Sequence, residues 1–329
     1  MRLPNHPTPQ FPNDLITQSP NHPPVVFFGS SSYVIPIIEV LRKNFDLKLV
    51  LTTENPAMPA GKLKPNLASQ GEALRSYPVV KYPVVKCCIE NKISYHSVVN
   101  LSDPTINHEL STINPTVAVL ADFGLIIPQQ ILNLFPKGII NIHPSLLPKY
   151  RGPTPVQTAI LNGEKITGVS IMKLDEEIDH GPILGQEKDK ILDTDTSESL
   201  YKRLFAKGAN LLPEILNLYL NDNLKPIAQD HEKSTFTKPL TRQDGYVDLS
   251  KFEARNSKSE LERKIRGYFP WPGVWTRLRL GSGGQAKLKI VKFLPDNKIQ
   301  VEGKKPMSYK DFLNGYPGAK ELQSLLIKL

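Results

Sequence analysis

VVFFGSSSYVIPIIEVL, residues 25–41, changes its hydrophobic period part-way along. Val25 to Phe28 is a continuous apolar run, Gly29 and Ser30 to Ser32 break it, and Val34, Ile37, Ile38, Val40 and Leu41 then fall at helical spacing. The stretch predicts a buried strand, a tight turn and a helix. Three more apolar runs follow, Leu47 to Thr53, Thr116 to Ala121 and Gly138 to Ile142, with helix-compatible sequence between them. Strands that are apolar on both faces and alternate with helices pair in parallel beneath two helical layers. A doubly wound, mostly parallel, Rossmann-type α/β domain is therefore expected over residues 24–220, with its ligands at the carboxyl ends of the strands. Gly29 lacks the partner glycines of G-x-G-x-x-G, which argues against a nicotinamide-dependent dehydrogenase.

Residues 1–23 are rich in Pro and Asn without the apolar centre of a signal peptide, and read as a disordered extension. No apolar run approaches the ~18 residues of a spanning helix, so no membrane-spanning segment is expected. At 329 residues the chain is too long for one ordinary core and suits two domains. Tyr201 to Leu220 has helical spacing, with Pro213 expected to kink it or to start a second helix. Residues 221–241, polar and proline-bearing, read as a linker. Beyond them come a helical stretch at Leu261 to Arg266, a rigid FPWPG corner at 269–273, and short alternating runs at Trp275 to Leu280, Lys287 to Phe293 and Lys298 to Val301. Period-two runs separated by turn residues predict a small barrel over residues 242–329. The tandem YPVVK at 77–81 and 82–86 reads as a local duplication in a surface segment.

Charge divides the chain more sharply than composition does. The formal net charge is +9, yet from His231 onward 20 Lys and Arg face 10 Asp and Glu, whereas the preceding part holds 21 against 22. A near-neutral body with a basic tail domain suggests a polyanionic partner, nucleic acid first and anionic membrane second, against the plainer reading that the charges only solvate a small domain. The two cysteines, Cys87 and Cys88, are adjacent and form neither a disulfide framework nor a zinc site, which suits a cytoplasmic protein. None of the seven His stands in a recognisable metal-ligand spacing, so no metal is expected.

The chemistry concentrates in GIINIHPSLLPKYRG, residues 138–152. A strand ending in Asn141, Ile142 and His143 points residues 141 and 143 to one face, where both can converge on a single atom. Pro144 stops the ladder, and Ser145 to Pro148 forms a loop beyond the carboxyl edge. A second polar cluster, LDEEIDHG at 174–181, follows the apolar stretch Val169 to Met172. Asp179 is the acid placed in the site, while Asp175, Glu176 and Glu177 read as a solvated turn.

Asn141, His143, SLLPKYRG at 145–152 and Asp179 within IDHG resemble the signature of the folate-dependent formyltransferases, supported by ADFGLIIP at 121–128, PVQ at 155–157 and TGVSIMKLDEEIDHG at 167–181. The resemblance runs from about Val25 to Gly315. It implies a formyltransferase-like first domain, 10-formyltetrahydrofolate as co-substrate, Asn141, His143 and Asp179 as catalytic residues, and Ser145, Leu146, Leu147 and Pro148 around the folate pterin. In the C-terminal half, KPLTRQDGYVD within residues 236–248, RGYFPWPGVW at 266–275 and GKKPMSYKDFLNG at 303–315 are similar to the members acting on methionyl-tRNA. That likeness implies an OB-like tRNA-binding domain, matching the basic tail, and initiator Met-tRNA as partner; no obligate protein partner is implied. The loop after the second strand resembles a tRNA-facing insertion through Pro59 to Gly61, but Ala57 and Met58 depart from its usual Asp and Arg, leaving Lys62 and Lys64 as the candidate tRNA contacts.

Attack of an uncharged amine on a formyl carbon gives a tetrahedral intermediate with negative charge on oxygen. Asn141 and a protonated His143 can each donate to that oxygen. Asp179 orients His143 or accepts the proton the amine sheds; the sequence leaves both roles open. An α-amine with a pKa of about 8 needs no strong base. The same site would serve another acceptor, such as a nucleotide amino sugar or glycinamide ribonucleotide, and an RNA-binding protein using the domain as a mere scaffold is the alternative from a different class.

Overall fold

The quoted stretch becomes strand β1 (Pro24–Phe28), a turn of 3-10 helix at Ser32–Val34 and helix α1 (Ile35–Asn44) in the computed structural model, which describes residues 23–53, 82–249, 257–281, 287–317, 319 and 322. Ser31 caps the turn, its hydroxyl accepting from the Tyr33 N–H at 3.3 Å. Gly29 is required there: a Cβ would lie 2.6 Å from the Phe27 ring and 2.9 Å from the Ala121 carbonyl, so the chain can leave β1 beside its neighbour only without a side chain.

The first domain continues through β2 (Asp46–Thr53), α2 (Pro83–Glu90), β3 (Tyr95–Val98), α3 (Pro104–Ile113), β4 (Val117–Leu120), α4 (Gln129–Leu132), β5 (Ile139–His143), α5 (Pro155–Leu161), β6 (Ile166–Lys173), β7 (Ile183–Lys190) and α6 (Ser197–Leu220). Among the described residues these strands form one sheet in the order β3-β2-β1-β4-β5-β6-β7. The first five are parallel, and β6 and β7 close one side antiparallel. The mostly parallel, doubly wound sheet expected from the sequence is thus present. Val25 to Phe28 and Val117 to Val119 are fully buried, as strands covered on both faces must be.

Several expectations change. The proline in α6 neither ends the helix nor starts another: Ala209, Leu212, Ile215 and Leu216, on both sides of Pro213, are buried, and their burial outweighs one lost N–H bond. The second YPVVK copy opens α2, with Pro83 in the first turn and Val84 buried, while the first copy lies outside the described residues. So do residues 1–22 and the candidate tRNA contacts Lys62 and Lys64. Cys87 and Cys88 are both buried free thiols, and burial pushes the Cys88 thiol up to about 12. No helix among the described residues is long and apolar enough to cross a membrane.

Residues 221–241, read as a linker, lie along the first domain. Ile227 exchanges both backbone hydrogen bonds with Ile183, and Arg151 exchanges backbone bonds with Thr235 and Thr237. The C-terminal part comprises α7 (Ser257–Gly267), β8 (Val274–Leu280), β9 (Lys287–Leu294), β10 (Lys298–Val301), β11 (Met307–Ser308) and α8 (Tyr309–Gly315). Its described strands form a four-stranded antiparallel sheet, β11-β10-β9-β8, over a core that includes Leu261, Val274, Val291, Phe293, Ile299 and Phe312. Helix α7 packs on α5 and reaches the first domain through Arg266, which donates to the Asp195 carbonyl at 2.8 Å.

Candidate active site

Strand β5 runs between β4 and β6, so its carboxyl end opens at the middle of the sheet rather than its rim. Asn141 and His143 project from one face of that end and are 6 % and 5 % exposed. The chain then bends so that the loop after β6 brings a carboxylate to both. Asp179 Oδ1 accepts from Asn141 Nδ2 at 3.1 Å, and its Oδ2 lies 3.5 Å from His143 Nδ1. The backbone N–H of Gly152 donates to the same Oδ2 at 2.7 Å. The three polar side chains singled out from the sequence therefore meet.

On its other side the His143 ring donates from Nε2 to the Tyr150 carbonyl at 2.9 Å. Both ring nitrogens face oxygen acceptors, so both contacts are favourable only when both nitrogens carry protons. A neutral ring keeping the Tyr150 bond would aim the Nδ1 lone pair at a carboxylate. Asn141 spends one amide N–H on Asp179 and has a second for a ligand.

Asp179 sits at φ +47°, in the left-handed region. A non-glycine residue is kept there by its surroundings, and here the restraint comes from the chain's own later segment. Gln229, 5 % exposed, donates from Nε2 to the carbonyls of Asp179 at 2.8 Å and Gly181 at 2.7 Å. Its Oε1 accepts from Arg151, which also donates to His231 Nδ1 and holds its guanidinium over the Phe236 ring. His180 stacks on His231 with centroids 4.0 Å apart and contacts Asp175 at 2.6 Å, so Asp175 braces this loop besides meeting solvent.

Ser145 to Pro148, the loop expected around the folate pterin, follows β5 directly. Ser145 and Leu147 are buried. The Ser145 hydroxyl donates to the Lys149 carbonyl at 2.7 Å, the Leu147 N–H to Ser170 Oγ at 3.0 Å, and Gln186 Nε2 to the Leu147 carbonyl at 2.9 Å. With these polar groups satisfied internally, the loop shapes the strand end, and Leu146 and Pro148 are left half-buried beside it. An open cavity of about 540 Å³ lies elsewhere, lined among others by Leu132, Phe135, Ile139, Leu174, Asp175 and Glu176. Ile139 shares the strand face of Asn141 and His143, and residues 174–176 begin the loop that carries Asp179.

Residues 24–216 match the family model described as formyl transferase. The chain belongs to the formyl transferase family. Within it, the chain is 36% identical over 277 residues to a methionyl-tRNA formyltransferase of Roseiflexus sp. (strain RS-1), covering 84% of this chain and 79% of that one. It is 33% identical to the methionyl-tRNA formyltransferase of Koribacter versatilis (strain Ellin345), over 89% of this chain and 95% of that one. Among solved structures, a 4-N formyltransferase from Francisella tularensis superposes with a TM-score of 0.56 at 18% identity, over 82% of this chain and 97% of that one. A sugar 3N-formyltransferase solved in the presence of dTDP and 5-N-formyl-THF superposes at 0.55 and 20% identity, over 87% of this chain and all of that one. At such identities the structural likeness gives the family fold and leaves the acceptor open. Arg151 and Ser170 lie inside the SLLPKYRG and TGVSIMKLDEEIDHG motifs but were not singled out, and Gln229 lies in no motif, because each meets the site through partners tens of residues away.

Proposed function

We propose that the chain transfers a formyl group from 10-formyltetrahydrofolate to the α-amine of initiator methionyl-tRNA. The observation that carries this reading is its likeness to methionyl-tRNA formyltransferases across the C-terminal part as well as the first domain, reaching 95% of the Koribacter protein's length. The basic charge of the chain after His231 supports a nucleic-acid acceptor.

The cavity beside Ile139 and Leu174 would take the folate ring. Its apolar wall of Leu132, Phe135, Ile139 and Leu174 suits a flat heterocycle, while Asp175 and Glu176 at the rim offer polar groups to ring N–H donors. Leu146 and Pro148 would supply apolar contact only. From there a formyl group can reach the end of β5. The second N–H of Asn141 and the His143 imidazolium donate to the oxygen of the tetrahedral intermediate, and Asp179 fixes both donors. Asp179 also takes up the proton shed by the amine, directly or through water. The intermediate collapses by breaking the bond between the formyl carbon and folate N10, which takes a proton and leaves as tetrahydrofolate.

Incubation with 10-formyltetrahydrofolate and charged initiator tRNA should give formylmethionyl-tRNA, whereas uncharged tRNA, free methionine and nucleotide amino sugars should not be formylated. Preferential formylation of an amino sugar would replace the acceptor, and absence of folate-dependent transfer to any amine would leave only a scaffold.

A further inference from the structure

Gln229 uses both ends of its side chain on the catalytic loop. Oε1 receives Arg151 Nε at 3.2 Å and Nη2 at 2.8 Å, and Nε2 donates to the carbonyls of Asp179 and Gly181 at 2.8 and 2.7 Å. Those carbonyls bracket His180, so one amide spans the turn in which Asp179 adopts its left-handed φ of +47°. Two N–H groups of a cation on Oε1 polarise the amide and strengthen Nε2 as a donor. Arg151 is itself 2 % exposed and adjoins Gly152, whose N–H donates to Asp179 Oδ2 at 2.7 Å. The carboxylate is therefore held from the Arg151 side and its backbone from the Gln229 side.

We propose that Gln229, organised by Arg151, is a positioning residue for formyl transfer: it locks the turn at 179–181 and so sets the Asp179 carboxylate against Asn141 and His143. The proposal rests on the reading of Asp179 given under Proposed function. It assigns a catalytic consequence to a segment whose composition suggests only a tether. The alternative is that Gln229 merely satisfies buried groups, in which case its loss lowers stability without acting through Asp179.

A double-mutant cycle in the full-length protein separates the two. Gln229→Glu keeps an acceptor for Arg151 but turns an oxygen toward the two carbonyls; Gln229→Met removes both interactions. In the wild-type background each should lower kcat on the order of 10- to 100-fold, as expected for a misplaced catalytic group, with KM for tRNA and folate held within about 2-fold. In an Asp179→Ala background, followed by single-turnover formylation, the same substitution should change the rate no further, because no carboxylate remains to be positioned. Equal fold losses in both backgrounds, a loss confined to KM, or wild-type kcat in Gln229→Glu would overturn the proposal. If Gln229→Met does not fold, the cycle is run with Gln229→Glu, in which Arg151 stays paired. Wild-type turnover in Asp179→Ala alone is a separate result, which removes the site itself.

Discussion

The carboxylate of Asp179 receives Asn141 on Oδ1, and on Oδ2 it receives the Gly152 N–H and faces the His143 ring. In the mechanism proposed above, a carboxylate satisfied from three directions serves chiefly by holding two donors still, and proton uptake comes second. This division of labour gives different expectations for the neighbours. Asn141→Ala removes one donor to the developing oxyanion and should lower kcat ~100- to 1000-fold. His143→Ala should cost as much, since the imidazolium is the other donor. Both side chains are buried at the strand end and neither is a phosphate-binding Lys or Arg, so tRNA affinity should stay within about 2-fold of wild type in either variant. Steady-state kinetics beside direct binding to charged tRNA would check this, and near-wild-type turnover in either folded variant would sink the assignment.

At the scale of elements, the end of β5 depends on what lies behind it. Ile142, between the two donors, points to the opposite face and meets α6, where a Cβ on Gly208 would lie 2.6 Å from Ile142 Cγ2 and 3.2 Å from Val169 Cγ2. Helix propensity favours Ala over Gly by ~1 kcal/mol. Overpacking a close contact typically costs ~1–3 kcal/mol. Gly208→Ala should therefore be net destabilising and should disturb the donors through Ile142; a lower unfolding temperature together with reduced kcat is the expected result, and a raised melting point would refute it. The central parallel strands and α6 were legible in the sequence because burial on both faces, or on one helical stripe, leaves a period. Of the strands not predicted, β3 (YHSV) and β7 (ILGQEKDK) are the edges of the sheet, where exposed polar residues dilute that signal, while β6 was read only as an apolar stretch at Val169 to Met172. Within the site, the shared face of Asn141 and His143 was legible from strand alternation, and Asp179 was read from the LDEEIDHG cluster before the resemblance supported it. The cavity beside Ile139 and the Gln229 brace are products of tertiary proximity, which no local pattern encodes.

Across the whole molecule two charge arrangements act at different ranges. The short-range one joins the domains: Arg203 pairs with both Asp195 oxygens at 2.7 and 2.6 Å, and the Asp195 carbonyl receives Arg266 of α7. Burial alone would push the Asp195 carboxyl up, but Arg203, the Leu192 N–H and the Ser199 hydroxyl outweigh it and hold it below the ordinary carboxylate value. A depressed folded value means that the unfolded chain takes up the proton first. The stabilisation is thus fully present above about pH 4 and is lost as pH falls through the depressed value. Asp195→Asn should destabilise the protein by about 2–3 kcal/mol at pH 7, and the difference from wild type should shrink in acid; an unchanged difference between pH 7 and pH 3 in denaturant unfolding would refute this.

The long-range arrangement is the excess of cations after His231, 20 Lys and Arg against 10 Asp and Glu, joined to a body that is nearly neutral. On the strands of the C-terminal sheet Arg277, Arg279, Lys292 and Lys298 are exposed, and Arg242 and Arg277 both lie over the Trp275 ring. Cations that neutralise phosphates release counterions, so each such pairing adds to the slope of log affinity against log salt. About five of them would weaken tRNA binding ~100- to 500-fold between ~50 and ~200 mM salt. The cavity proposed for folate carries one cation, Lys173, beside Asp175 and Glu176, and binding there should change far less over the same range. Titrating the two ligands separately across that salt series distinguishes a tRNA-docking domain from one whose charges only solvate it: a flat response for tRNA would show that the basic domain does not carry the acceptor.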